Sequence, residues 1–236
     1  MPGIARYPAA SALANFLDSA DPSYGSGMDG SVVLDGTTTI LSMAPSSSVY
    51  TMTRDIYCHN LTINASVTLK TAGYRLFVKN ILTLGASSVI GFTTGFSTAG
   101  SIAQGGAANT AVTHSLGGAS STQTATAPIA GLGGSTYYDV PWQAIKGYAV
   151  SATTTTPTFL RGGAGGTSQE GGGVVIVAAR YISPPSSGSA TISANATSPA
   201  GGGVVIVISS SATLPTGVTT SVTGNAAGTS KYLQLV

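Results

Sequence analysis

Apolar and polar side chains alternate along much of the first half of the chain, from Gly30 to Phe92. In the stretches NLTI (60–63) and VTLK (67–70), every second side chain is apolar. A period of two predicts strands with one buried face. The predicted strands of this half cover residues 32–34, 37–41, 48–53, 56–63, 67–70 and 74–84.

Asp35 and Gly36 separate the first two of these strands. The Asp-Gly pair favours a two-residue β-turn, because both residues tolerate positive φ angles. The sequence therefore predicts an antiparallel hairpin at this point.

The second half of the chain contains an internal repeat. Residues 171–177 (GGGVVIV) return thirty positions later as residues 201–207, and further identities at this spacing are Pro185 and Pro215, Asn195 and Asn225, and Ala196 and Ala226. A fixed period with a glycine triplet and a β-branched strand predicts stacked β units. Wholly apolar strands indicate burial on both faces. A second strand is predicted in each unit (190–194 and 221–224), and residues 232–236 are predicted to close the stack.

Glycine triplets suit places where the backbone needs positive φ angles or where neighbouring strands approach closely. Together with the strands, they predict an all-β fold. The two architectures considered are a β-sandwich and a short β-stack with ~30-residue glycine-rich repeats. Either would be preceded by a short N-terminal helical arm.

The first 29 residues form this predicted arm, and residues 30–236 form the β domain. Ser11 can cap a short helix in which Leu13, Phe16 and Leu17 share one face. Two helical turns are not stable alone in water. The arm is therefore expected to pack either as a flap on its own domain or as an anchor on a partner, through these three apolar residues.

Residues 92–170 interrupt the β pattern with glycine pairs among Ala, Ser and Thr. So long a stretch without regular structure is uncommon unless it has a function. Its one dense aromatic patch contains Tyr137, Tyr138 and Trp142, the only tryptophan of the chain, and Tyr148 follows. Packing at a subunit contact is the favoured interpretation, because Tyr and Trp are enriched there. Binding of a receptor or glycan is the alternative.

The composition favours association with other copies or with a larger assembly. Only 7% of residues are charged, against roughly 25% in ordinary soluble domains, so the surface is weakly solvated. The net charge of +2 comes without a basic cluster, which argues against a nucleic-acid partner. No apolar run approaches the ~18 residues of a membrane span, so no membrane partner is predicted.

The sequence offers little catalytic or metal-binding chemistry. Cys58, the only cysteine, lies beside His59 and near Asp55. Neighbours on a strand point to opposite sides, whereas a nucleophile and its base must be in contact. His59 and His114 lack a metal-ligand spacing. No catalytic residue, metal site or cofactor is predicted.

A glycan depolymerase is the enzymatic alternative. It needs two carboxylates roughly 5–9.5 Å apart. After residue 55 the chain has only Asp139 and Glu170 as acids. Two candidates without a spacing signal favour a non-enzymatic protein.

The succession of DG, NLTIN, VTLKTAGYRLFVKN, a glycine-rich stretch and GGGVVIVAAR resembles glycine-rich structural proteins of tailed bacteriophage virions. The resemblance spans residues 29–91 and 163–212. It implies a virion protein assembled in the host cytoplasm, most often a homotrimer, which contacts capsid or other virion proteins. A capsid-decoration or head-fibre subunit is expected first. A tail-fibre or receptor-binding protein that recognises a host surface glycan is the alternative, and a bacterial surface adhesin or filament subunit is third.

Overall fold

A computed structural model of the protein describes residues 24–92, 148–149, 158–159, 162–165 and 170–235. These residues are mostly β-strand with almost no helix, so the all-β prediction is confirmed. Within these ranges no helix is long and apolar enough to cross a membrane. The predicted helical arm, with Leu13, Phe16 and Leu17, lies outside the described residues.

The described residues contain fourteen strands. They are β1 (Ser31–Leu34), β2 (Val49–Thr51), β3 (Ile56–Cys58), β4 (Asn60–Ile63), β5 (Thr68–Lys70), β6 (Arg75–Leu84), β7 (Val89–Gly91), β8 (Tyr148–Ala149), β9 (Thr158–Phe159), β10 (Val174–Ser183), β11 (Ala190–Ser193), β12 (Val204–Ser209), β13 (Val218–Ser221) and β14 (Thr229–Gln234).

The strands alternate between two parallel sheets. The seven-stranded sheet has the order β1-β4-β6-β10-β12-β14, with β3 also paired to β6. The five-stranded sheet has the order β13-β11-β7-β5-β2, and β8 and β9 form a separate antiparallel pair. Because strands join each sheet in chain order, the chain winds as a coil whose turns each place a strand in both sheets.

The predicted hairpin at Asp35 and Gly36 is wrong. β1 pairs in parallel with β4, and the segment after Gly36 forms an isolated bridge instead of a strand. The Asp35 carboxylate accepts hydrogen bonds from the backbone N–H groups of Thr37 and Thr38 and from the hydroxyls of Thr38 and Tyr50. These bonds close a local turn. Asp-Gly thus marked the turn correctly but not the strand pairing.

The other predicted strands each have a counterpart among the described residues, although β7 was not predicted and several bounds differ. The predicted strand over 56–63 is divided at His59 into β3 and β4. The second strand of the last unit lies at Val218–Ser221, a few residues before the predicted 221–224. The final strand, β14, begins three residues before the predicted 232–236 and pairs with β12.

The two copies of VVIV lie side by side. Val174 pairs with Val204 and Val177 with Val207, in register between β10 and β12. All eight side chains are at most 1% exposed, so the predicted burial on both faces is confirmed. One set of alternate residues enters the main core between the two sheets, and the other enters a second apolar cluster on the outer side of the seven-stranded sheet.

The stretch 92–170 does not break the stacking of the coil. β6 pairs directly with β10, and β7 directly with β11. The two ends of the connection also lie side by side at Gly173. The ring of Phe92 occupies the space where a Cβ of Gly173 would be, and a Cβ on Gly162 would lie 2.9 Å from the Gly173 Cα. The described residues on either side of the long connection therefore lie together at Gly173.

Candidate interaction surface

The outer surface of the seven-stranded sheet has two halves that meet at a corner. The covered half consists of the buried outward side chains Phe77, Val174, Ile176, Ala178, Val204, Ile206, Ile208 and Leu233. The open half consists of two rows of outward side chains on β1, β4 and the last parts of β6 and β10, namely Ser31, Asn60, Ile81 and Tyr181, and Val33, Thr62, Thr83 and Ser183.

The segment before β1 lies on the covered half. Tyr24 is buried in this apolar cluster, and its hydroxyl donates a hydrogen bond to the carbonyl oxygen of Leu235 at 3.2 Å. Gly25 has a φ of 84°, and a Cβ there would lie 2.7 Å from the Phe77 Cβ. Glycine is required because of both the conformation and the close approach. The Tyr57 ring stacks on Phe77 with centroids 4.9 Å apart.

The corner between the two halves carries a column of basic side chains, His59, Lys79 and Arg180, which we call the basic corner. These three residues directly follow Cys58, Val78 and Ala179. Because Cys58 pairs with Val78 and Val78 pairs with Ala179, the basic residues come from successive turns. The register between β6 and β10 shifts at this point. The column therefore runs along the coil axis.

Two asparagines fix the backbone of this corner. The Asn80 side-chain amide donates to Asn60 Oδ1 at 2.9 Å, and the Asn60 amide donates to the Ser31 hydroxyl at 3.0 Å. The Ile81 N–H also donates to Asn60 Oδ1, at 3.3 Å. These bonds connect three turns and use the amides internally, so the asparagines hold the corner in place.

The open half contains most of the exposed large apolar side chains of the described residues. Val33 is 49% exposed, Ile81 38% and Tyr181 45%, and Met28 in the preceding segment is 77% exposed. Ile81 and Tyr181 are direct neighbours across β6 and β10. The Arg180 guanidinium lies over the Tyr181 ring, 5.4 Å from its centroid.

Hydroxyl groups form the second row of the open half. Thr62 pairs with Thr83, and Thr83 with Ser183. Their side-chain hydroxyls make no hydrogen bond within the part of the chain that the structure describes. All three are half-buried, so this row offers hydroxyls to solvent or to a ligand.

Two of the described carboxylates are tied into ion pairs. Asp29 accepts two bonds from Arg54, at 2.7 and 3.0 Å, and one from the Tyr57 N–H at 2.7 Å. The Arg54 guanidinium holds the pKa of Asp29 below its usual value. Asp55 accepts bonds from the guanidinium and the backbone N–H of Arg75. Both carboxylates have structural partners at the start of the coil.

The two acids considered for a depolymerase are not both among the described residues. Glu170 is half-buried beside the glycine triplet, whereas Asp139 lies outside the described residues. In the described ranges, no three His, Cys, Asp or Glu side chains are grouped closely enough to hold a metal ion.

Cys58 and His59 point apart, as predicted. Cys58 is in the main core, and burial raises the pKa of its thiol to about 12. His59 is exposed at the basic corner. Cys58 is therefore a protonated core side chain at neutral pH and a poor nucleophile.

Most residues of the predicted contact sites lie outside the described ranges, including Tyr137, Tyr138 and Trp142. Tyr148 lies in β8, opposite Phe159 of β9. The open half was not predicted. Its signal is the outward position of Ile81 and Tyr181, which becomes visible only when the turns are aligned.

Comparisons with protein-family models, with curated proteins and with solved structures found no match to this chain.

Proposed function

We propose that the protein is a non-enzymatic structural protein of a phage virion surface, a homotrimeric capsid-decoration or head-fibre subunit. In this proposal, the coil is a short β-stack with glycine-rich repeats. It serves as a rigid mount, and the stretch 92–170 is the element that contacts the particle or neighbouring subunits. The low charge and the resemblance to virion proteins described above support this assignment.

The observation that carries the proposal is the continuous ladder across the long connection. Leu76 pairs with Val177, and Ile90 with Ile192, although some hundred positions separate them in the chain. Because the residues at both ends of this stretch meet at Gly173, the stretch can carry a contact surface without disturbing the sheets. Contact residues are commonly displayed on loops held by a rigid scaffold.

The glycine triplets support the rigidity of this mount. The N–H of Gly163 donates to Gly172, and the N–H of Gly172 donates to Gly201, at 2.8 and 3.0 Å. The N–H of Gly201 donates to Ala164 at 2.9 Å. Residues 162–165, at the end of the connection, are thereby hydrogen-bonded to the two glycine triplets, 171–173 and 201–203, which we call the glycine corner.

A tail-fibre or receptor-binding protein is the alternative, in which the same mount presents residues around Trp142 to a host glycan. The exposed Tyr181 on the coil supports a receptor-binding function, because tyrosines are enriched at recognition surfaces. A bacterial surface adhesin or filament subunit would use the mount in the same way.

The test is excision of residues 93–161 and their replacement by a flexible linker of about six residues. Because the ends meet at Gly173, we expect the excised protein to keep its β circular dichroism and cooperative melting. Attachment to purified particles that lack the protein should be lost. Trp142→Ala is the matched point variant, with unchanged melting and weaker attachment. Full attachment of the excised protein would overturn the proposed role.

A truncation that begins at Tyr24 tests the arm separately. It keeps the Tyr24 and Asp29 contacts, so the coil should fold, and loss of attachment would identify residues 1–23 as the anchor. Counting copies per purified particle then separates the two virion locations. A number that matches the capsid lattice supports decoration, and a few copies support a fibre.

A further inference from the structure

We propose that residues 1–23 are a strap that packs on the outer side of their own seven-stranded sheet. The surface that they cover, which we call the outward strip, consists of Val174, Ile176, Val204 and Ile206. The apolar face of the arm is thus used within the chain, which is the first of the two arrangements expected for it. The proposal is independent of the virion assignment, since it concerns contacts inside one chain.

The outward strip is buried although it lies on the outer side of the sheet. Its side chains belong to the second apolar cluster and not to the main core between the sheets. Each of them is at most 1% exposed in the single chain. A side chain buried to this extent touches roughly 6–12 other residues, and some of these must lie above the sheet. The cover of the strip therefore belongs to the same chain.

Tyr24 covers only one end of this surface. Among the described residues of the cluster, it alone comes from a segment that is neither part of the sheet nor directly continuous with it. The residue after it lies against Phe77, and its hydroxyl is bonded to Leu235, beyond the end of β14. The row of Phe77 crosses β12 at Ile208. Val204 is four residues before Ile208, about 13 Å away, which is beyond the reach of the Tyr24 ring.

The opposite end of the strip adjoins the glycine corner. Residues 162–165 are hydrogen-bonded to the triplets, which come before the first residues of β10 and β12. Ile176 and Ile206 lie further along these strands, between the glycine corner and Tyr24. Phe92, at the start of the long connection, packs in the main core. The described ends of this connection are thus beside the triplets and in the main core.

Residues 1–23 are the segment best placed to cover the strip. They lead directly into Tyr24, which is buried in the same cluster. About four extended residues span 13 Å, so Leu13, Phe16 and Leu17 can reach the strip. Residues 8–17 contain no charged side chain, which suits packing on a surface of Val and Ile alone. The short helix predicted there is unstable alone, and the strip provides the apolar surface that it needs.

The direct test is NMR of the full chain with labelled isoleucine methyl groups and phenylalanine rings. We expect nuclear Overhauser effects between the Phe16 ring and the methyl groups of Ile176 and Ile206. Ile81, an outward isoleucine of the open half, is the matched control and should show none with Phe16. Contacts of the strip methyl groups with residues 93–161, or no contact with residues 1–23, would overturn the proposal.

A mixed sample distinguishes the strap from an arm exchanged between copies. It combines chains labelled only at isoleucine with chains labelled only at phenylalanine, so that the observed effects arise between different copies. We expect no effect between Phe16 and Ile206 in this sample. If the effect persists, the strip is covered by the arm of a second copy and the strap proposal is wrong.

Two variants of the full chain test the cover by removing it. Phe16→Asp places a charge against the strip, so the strip should become exposed and the fluorescence of bound anilinonaphthalene sulfonate should rise severalfold. Asn15→Asp is the control, because it adds the same charge on the opposite side of the predicted helix, and dye binding should not change. Circular dichroism should show the same β fold in both. An equal response of the two variants, or no response in Phe16→Asp, would contradict the strap.

Discussion

The covered and open halves of the seven-stranded sheet share two strands, β6 and β10, whose outward side chains are buried in one half and exposed in the other. In its first part, β10 presents Val174 and Ile176 outward, and both are at most 1% exposed. In its last part, the same strand presents Tyr181 and Ser183 to the surface. β6 changes in the same way, from buried Phe77 to exposed Ile81. β6 and β10 stay paired through both halves, with one register shift between them, while the outward side chains change from buried to exposed.

The change occurs within two residues, at the basic corner. Ala179 faces the main core, and Arg180 and Tyr181 follow it where the register with β6 shifts. A one-residue irregularity of this kind turns side chains in a new direction. Two paired strands can thus contribute to a buried surface in one part and to an exposed surface in the next, with a register shift between the two parts.

The largest expected effect is at the glycine corner, from which the covered strands start. A Cβ on Gly172 would overlap the carbonyl oxygen of Ala194 and the nitrogen of Gly203, which are backbone atoms that cannot rotate away. We expect Gly172→Val to cost more than about 3 kcal/mol of unfolding free energy, or to prevent folding. Gly202→Val should behave alike, because its Cβ would lie 2.8 Å from the Gly228 nitrogen.

Gly30→Ala is the control for this prediction. A Cβ at Gly30 has no atom within 4 Å, and its φ of 72° adds only backbone strain, so the expected loss is about 1 kcal/mol. Urea unfolding of the three variants measures the difference. A Gly172→Val variant as stable as Gly30→Ala would show that the corner is not closely packed.

Matched isoleucines give the direct comparison of the two halves. Ile176 is 1% exposed in the covered half and Ile81 is 38% exposed in the open half. Ile176→Ala should cost about 2–5 kcal/mol, because it leaves a cavity. Ile81→Ala should change stability by less than about 0.5 kcal/mol. Equal losses in urea unfolding would mean that the open half is buried in solution, for example by another copy.

The last expected effect, on the segment that leads onto the covered half, depends on pH. Because Arg54 lowers the pKa of Asp29 from 3.8, the ionised carboxylate stabilises the folded state above that value. This stability is lost as the pH falls through the lowered pKa. The effect is about 1 kcal/mol.

Melting temperatures measured from about pH 5 to about pH 2 test this effect. The wild-type protein should lose more stability in this range than Asp29→Asn, which has no carboxylate to protonate. Parallel pH profiles for the two proteins would exclude a contribution from the Asp29–Arg54 pair.

Strand positions were predictable where a local pattern decides them. The VVIV segments are apolar at every position, so burial on both faces follows from composition alone, and the alternation in Asn60–Ile63 matches its burial. The triplets 171–173 and 201–203 were expected to need positive φ or close approach. Gly172 and Gly202 do not have positive φ angles. Glycine is therefore needed at these two positions because neighbouring backbone approaches them closely.

The pairing of strands that lie far apart in the chain could not be predicted from the sequence. Asp35-Gly36 has the local signature of a hairpin, but β1 pairs with β4, where Val32 lies opposite Leu61 and Leu34 opposite Ile63. The open half depends on such pairings too. Tyr181 is next to Ile81 only because the coil passes directly from one turn to the next across the stretch 92–170.

The meeting of Phe92 and Gly162 at Gly173 has an evolutionary consequence. Closing a longer loop costs only about 0.6 kcal/mol for each doubling of its length. Because both ends are fixed at one point on the coil, the segment between them can be lengthened, shortened or exchanged for an unrelated one with little effect on the sheets. The coil thus has one position at which an inserted segment can change in length and sequence while the sheets stay the same.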